Sequence, residues 1–256
     1  MGLKGVIFLL AVCSIVSCEW GVPGNDKPAI TKDTLKYTYE IIKRRTTDCN
    51  NRPDSECIKA KIKYPVFAGQ KVLNDTIRHH LITQFGIADK MDGSLHQLAD
   101  QFLKAGQDFS LNTNTEVIRQ DSSILLMQLS GYKSLGGVRG YFLTNFINWD
   151  TKAGKKIELK DIFTDGYTGS LNIIAEKIFR KEEKLSDSAS LTPGYLFKGG
   201  KFSLNNNFLI TPIGIRFLYN QGEIKPYTAG QTNIFIPYIQ IRSLFRLNTV
   251  VTQYIR

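Results

Sequence analysis

Residues 208–245, FLITPIGIRFLYNQGEIKPYTAGQTNIFIPYIQIRSLF, constrain the fold more than any other stretch of the chain. Thr211-Pro212-Ile213-Gly214 places Pro second and Gly fourth, the arrangement of a type I turn. Ile215, Phe217 and Tyr219 then alternate with Arg216, the period-2 pattern of a half-buried strand. Asn220-Gln221-Gly222 ends that strand, and Pro226 and Gly230 bracket a loop that carries Tyr227. Asn233–Ile236 reads as a further strand, and Pro237 suits the first position of a helix, where its missing N–H costs nothing. Ile241, Leu244 and Phe245 recur at helical spacing. The stretch specifies a fold element and holds no catalytic signature.

The amino terminus speaks to location. Lys4 precedes an apolar run, Gly5 to Val16, that is too short to cross a bilayer as a helix. A basic residue, a short apolar core and a small residue before the cut describe a secretory signal peptide over residues 1–17. Ile15-Val16-Ser17-Cys18 resembles the lipobox of bacterial lipoproteins, cut before Cys18 and lipidated on that thiol. The plainer alternative is an ordinary signal peptide with a chance cysteine. The expectation is an exported, membrane-anchored lipoprotein of the cell envelope, periplasmic or surface-facing, with the lipid bilayer as a partner through Cys18. Residues 18–35, rich in Pro and Gly, suit a flexible spacer.

Cys49 and Cys57 are the cysteines left for the folded part, and they flank the turn-rich residues 50–56. In an oxidising compartment this pair reads as a disulfide, with free thiols as the alternative. Neither a second cysteine pair nor a nearby histidine completes a tetrahedral zinc shell, so no metal and no cofactor is expected.

The remaining pattern is α+β, with antiparallel sheets covered by helices in one domain or two lobes, 36–130 and 131–256. Leu35–Ile42 and Ala60–Phe67 read as strands around the cysteine loop. Leu73, Ile77, Leu81 and Phe85 form a helical stripe opened at Gly69 or Asn74 and closed by Gly86. Leu95, Leu98, Ala99 and Phe102 form a second helix with Ser94 as its N-cap. Val117–Leu129 and Tyr141–Trp149 read as strands around a turn region from Gly131 to Gly140, and Leu171, Ile174, Ala175 and Ile178 mark a third helix.

Candidate catalytic groups are sparse. His79 and His80 are adjacent, so they point about 100° apart on a helix and cannot ligate together as an i, i+4 pair does. With His96 they are the chain's three histidines and read as surface or half-buried helix residues. No H-E-x-x-H, G-x-S-x-G or phosphate-loop motif occurs. Asp161 and Asp165, with Glu158 before them, have the spacing of a cation site, but Asp161 fits better as the cap of a short helix. Asp100 and Asp108 read as solvent-facing. The catalytic set is therefore empty, and Tyr227 stands either as a recognition residue or as packing under its own loop.

Charge supplies the remaining clue. The chain carries 33 basic and 23 acidic side chains, net +10, and a cut before Cys18 removes only Lys4. Lys59, Lys61 and Lys63 alternate, which puts all three on one face of a strand. They serve either to blunt an edge strand or to attract an anionic glycan, headgroup or envelope phosphate. Nucleic acid is not expected outside the cell.

GEIKPYTAGQTNIFIPY, residues 222–238, resembles the C-terminal segment of a bacterial domain-of-unknown-function family. GGVRGYFLTNFINWDTKAGKKIELKDIF, residues 136–163, resembles that family's other characteristic segment, and the likeness covers roughly residues 36 to 246. The family forms the extracellular part of the lysozyme-sensing anti-sigma factor RsiV, and a similar module sits beside peptidoglycan deacetylase domains and in lipoproteins. This chain departs at Val138-Arg139, where many members carry Ala-His, so a role for that histidine does not carry over. The resemblance implies the α+β fold and a lysozyme-like protein as one ligand. Common lysozymes are themselves basic, however, and two cationic partners repel without a local acidic patch. The anti-sigma role is not expected, since the export signal opens the chain. The reading is thus a non-enzymatic binding module for an anionic envelope component, glycan or protein. The alternatives are a lysozyme receptor or inhibitor and a peptidoglycan-active hydrolase, which would need two carboxylates across one cleft.

Overall fold

β1 (Tyr37–Arg45) and β2 (Ile58–Phe67) pair antiparallel, and the Cys49–Cys57 disulfide closes the loop between them. The coordinates, a computed structural model, describe residues 34–47, 49, 53, 57–87, 93–106, 108–137 and 140–255. The signal peptide, Cys18, all but the end of the spacer, and Val138-Arg139 lie outside the described residues.

From β2 the chain crosses one face of the sheet as α1 (Lys71–Phe85) and α2 (Leu95–Lys104), then returns as β3 (Phe109–Gln120) parallel to β2. Parallel neighbours require such a crossover, and the helices supply it. α2 starts at its expected Ser94 cap, whereas α1 starts at Lys71 after Gln70, not at Gly69 or Asn74. The Asn74 side chain pairs with the N–H and C=O of Phe67, tying the first turn of α1 to β2, and Ser94 caps α2 in a capping box with Gln97. Leu73, Ile77, Leu81 and Phe85 of α1 and Leu98, Ala99 and Phe102 of α2 pack on Ala60, Ile62 and Leu111 of the sheet.

β4 (Ile124–Leu135), β5 (Tyr141–Asp150) and the short β6 (Lys155–Lys156) continue antiparallel, giving a six-stranded sheet in the order β1-β2-β3-β4-β5-β6. Two expectations change here. Residues 117–129 are not one strand but a hairpin, turned where Asp121 Oδ1 accepts the N–H groups of Ser123 and Ile124. Gly131 lies within β4, not in a turn: a Cβ there would meet the Asn112 carbonyl at 2.8 Å and the Phe85 ring at 2.9 Å. The sheet also runs through residues 130 and 131, so by sheet membership the chain divides after Lys156.

The second layer begins with α3 (Leu159–Ile162) and α4 (Tyr167–Glu182), followed by the meander β7 (Phe208–Ile210), β8 (Gly214–Tyr219) and β9 (Thr232–Pro237) and by α5 (Tyr238–Ile241). Pro212-Ile213 turns the chain from β7 into β8, with the Thr211 N–H donating to the Gly214 carbonyl at 2.9 Å and the Gly214 N–H donating to Thr211 Oγ1 at 3.1 Å instead of to the Thr211 carbonyl. Pro237 ends β9 and caps α5 instead of opening the helix. Phe217, Ile234, Phe179 and Leu171 centre this second core.

The two cores share β4 and β5. Leu125, Met127, Ile147 and Trp149 face the helices, while Ile124, Leu126 and Phe146 face the second layer. That is why β4 opens with an unbroken apolar run: both of its faces are buried there. The β5 edge beyond β6 is covered by side chains instead of a strand. Asn220 Oδ1 accepts the Thr144 N–H at 2.7 Å, Asn207 Oδ1 accepts the Phe146 N–H at 3.0 Å, and Asn207 Nδ2 donates to the Thr144 carbonyl at 2.8 Å. Carboxamides have the donor and acceptor of a peptide group, so they stand in for the missing ladder.

Candidate functional site

Along β2 the buried Ala60 and Ile62 fix the opposite direction for Lys59, Lys61 and Lys63, which lie on the sheet face away from the helices. β2 is paired on both sides, so these lysines do not guard an edge; the edge strand is β1. From β1, Tyr39, Ile41 and Lys43 share this face, in register with Pro65, Lys63 and Lys61. Asn112 and Asn114 of β3 stand opposite Lys61 and Lys63, and Ser130, Tyr132, Phe142 and Thr144 extend the face across β4 and β5. Tyr39 is 40 %, Ile41 50 % and Phe142 55 % exposed. Among the described residues no helix or strand packs over this part of the sheet.

Positive charge is concentrated on it. Lys43 and Lys61 face each other directly across the β1–β2 pair, and Lys63 Nζ stands 4.6 Å from the centroid of the Tyr39 ring. Lys59 is half-buried and makes an interaction of its own. Glu116 lies on the same face and accepts a hydrogen bond from Asn114 Nδ2.

Where the second layer meets this face, a cleft of about 620 Å³ opens between Asn112, Asn114, Tyr132 and Phe142 of the sheet and Gln221 and Gln231 of the loops. The Tyr132 and Phe142 rings lie 4.8 Å apart. Asn114 Oδ1 and Gln221 Oε1, on its walls, make no hydrogen bond within the described protein. Tyr227 does not line the cleft. Its ring is half-buried, and its hydroxyl donates to the Gly140 carbonyl at 2.6 Å, strapping the loop to the β4–β5 hairpin.

The other sequence candidates do not converge. His79 and His96 are exposed, and His96 Nδ1 lies 3.2 Å from Arg44. His80 is half-buried against Lys156. Asp161 works as expected in the cap of α3, accepting the Glu158 N–H at 2.8 Å and pairing with Lys155. Asp165 instead pairs with Arg246. Asp100 is not simply solvent-facing, because Arg44 of β1 pairs with it and holds its carboxyl below the usual range, whereas Asp108 is exposed. Among the described residues no His, Cys, Asp or Glu cluster has the makings of a metal site.

The sequence reading missed Tyr39, Asn112, Asn114, Tyr132 and Phe142. The alternation Leu111, Thr113, Thr115 against Asn112, Asn114, Glu116 was the available signal for β3.

Lys160, the second residue of α3, opens a segment with a family match that ends in α5. Residues 160–239 match the model of a family described as "Protein of unknown function (DUF3298)". The matched segment covers the second layer and none of β1 to β5. Among solved structures, a DUF3298 family member from Bacteroides fragilis NCTC 9343 superposes with a TM-score of 0.67 at 19 % identity, covering 86 % of this chain and 97 % of its own. A DUF3298 family protein from Pseudomonas aeruginosa PAO1 gives 0.69 at 19 % identity, covering 84 % and 95 %. At that identity the likeness shows the fold, and it extends over both layers. Among curated proteins nothing matches the chain.

Proposed function

We propose that this chain is a non-enzymatic lipoprotein module of the cell envelope, anchored through Cys18, which binds an anionic envelope glycan on the uncovered face of its six-stranded sheet. The observation that supports this reading is the opposition of Lys43 and Lys61, with Lys63 beside them. Like charges directly opposite one another across a strand pair lower stability. An anionic partner offsets that cost by filling the space between them with opposite charge.

The neighbouring groups suit a sugar polymer. Exposed rings of Tyr39 and Phe142 offer flat apolar area of the kind that the C–H face of a sugar ring covers. The carboxamides of Asn112, Asn114, Gln221 and Gln231 offer donors and acceptors for hydroxyl and acetamido groups. The direct experiment is a titration of the purified chain against peptidoglycan, an anionic glycan, anionic and neutral vesicles, and lysozyme at two salt concentrations. Salt-sensitive binding to the anionic glycan is expected. Salt-insensitive binding to lysozyme alone, or turnover of a muropeptide abolished by one carboxylate substitution, would replace this reading.

A further inference from the structure

A second cleft, of about 550 Å³, lies on the helix side of the β5 edge, beyond the loop through Gln221. Its floor is a lysine–histidine pair: Lys156 Nζ, from β6, lies 3.1 Å from His80 Nε2, from α1. An ammonium group donates only, so Nε2 accepts and the imidazole proton resides on Nδ1. No carboxylate among the described residues forms an ion pair with Lys156.

The charged groups around the pair are few. His79 precedes His80 on α1, Glu158 lies two residues beyond Lys156, and Glu223 is on the facing wall. Both Glu223 oxygens are already engaged, one by Asn205 Nδ2 at 2.8 Å and one by the Asn220 N–H at 2.7 Å. The rest of the polar lining is carboxamide, including Gln84, Asn145, Asn206 and Gln221.

We propose that this cleft is an oxoanion site, in which Lys156 and protonated His80 hold the carboxylate or phosphate of a hydroxylated ligand while the carboxamides bond its hydroxyl groups. A half-buried ammonium aimed at an imidazole has lost water while its nearest carboxylate, Glu158, acts only at a distance, and an oxoanion in contact supplies both the charge and the acceptors. Burial lowers the proton affinity of both groups, and for His80 the neighbouring Lys156 and His79 lower it further. An anion seated in the cleft against both groups reverses that balance. Binding therefore strengthens as pH falls and His80 takes up a proton. The site is independent of the sheet-face reading above, and either stands without the other.

The test follows the imidazole signals of the full-length chain by NMR across pH, alone and with inorganic phosphate, glucuronate or neutral glucose. Phosphate and glucuronate should each raise the His80 midpoint by one pH unit or more, with that of His79 moving less, and glucose should not move it. Tighter binding of glucuronate than of acetate would place the hydroxyl contacts as well as the charge. Lys156→Met should weaken phosphate at least tenfold, and Lys156→Arg, which keeps the charge and guards against misfolding, should retain most of it. A His80 midpoint indifferent to both anions, or Lys156→Arg and Lys156→Met binding alike, would overturn the proposal.

Discussion

The Asn148 carboxamide donates to the Phe208 carbonyl at 2.7 Å and accepts the Ile210 N–H at 2.9 Å, so one buried side chain of β5 pairs with the backbone of β7 as a strand would. With Asn207 and Asn220 it joins the two layers by carboxamides where no continuous ladder runs between them. Asn148→Ala leaves a buried donor and a buried acceptor unpaired, each costing about 1–3 kcal/mol. A loss of about 2–4 kcal/mol in urea-monitored stability is expected. A loss below ~1 kcal/mol would mean that the layers are held without this link.

Cys49–Cys57 closes a short loop at the end of the edge pair. By the chain-entropy relation it contributes about 2.5 kcal/mol. Non-reducing peptide mapping should show the two cysteines joined, and reduction should lower the denaturation midpoint accordingly. Quantitative alkylation of both thiols in unreduced protein would exclude the bridge.

His80 has a midpoint lowered by burial, and then by Lys156, to about 4. The unfolded chain, with an ordinary histidine, takes up that proton at higher pH than the folded one. Stability from this group is thus fully present above about pH 6.5 and is lost as pH falls toward about 4, by roughly 2–4 kcal/mol. His80→Gln should flatten that limb of the stability–pH curve in phosphate-free buffer. An unchanged acid limb would place His80 in a more hydrated setting.

On the sheet face, raising ionic strength from about 0.01 M to about 0.15 M cuts the screening length from about 30 Å to about 8 Å. Glycan binding should fall steeply over that range. Neutralising Lys61 and Lys63 together should remove much of the salt dependence, and Tyr39→Ala should weaken binding while leaving the salt slope nearly unchanged. Neutralisation that leaves the slope intact would move the contact surface elsewhere. Tyr227→Ala, by contrast, frees the loop from Gly140 and should act through loop order, seen as faster hydrogen exchange there.

Cys18→Ser should abolish lipidation and leave the chain unanchored or unprocessed. Mass spectrometry of the mature N-terminus decides the matter: a diacylated or triacylated Cys18 is expected, and an unmodified residue at another position would refute the anchor.

What the sequence determined by itself is local. The helical stripe Leu73 to Phe85, the Ser94 cap, the Pro212 turn and the Cys49–Cys57 pairing each depend on residues close in the chain, whose periodicity or turn chemistry admits few alternatives. The polar strand β3 carries its signal only as a faint alternation, because Asn-rich strands have weak intrinsic preference, and pairing between β2 and β4 holds it extended. Gly131 reads as a turn residue in isolation, yet the approach of Phe85 from α1 is what requires it. The candidate sites were decided last. Lys43 meets Lys61 through strand register, and Lys156 meets His80 through the packing of α1 on β6. Each arrangement joins residues far apart in sequence, and that proximity arises only when the sheet and its covering layers assemble.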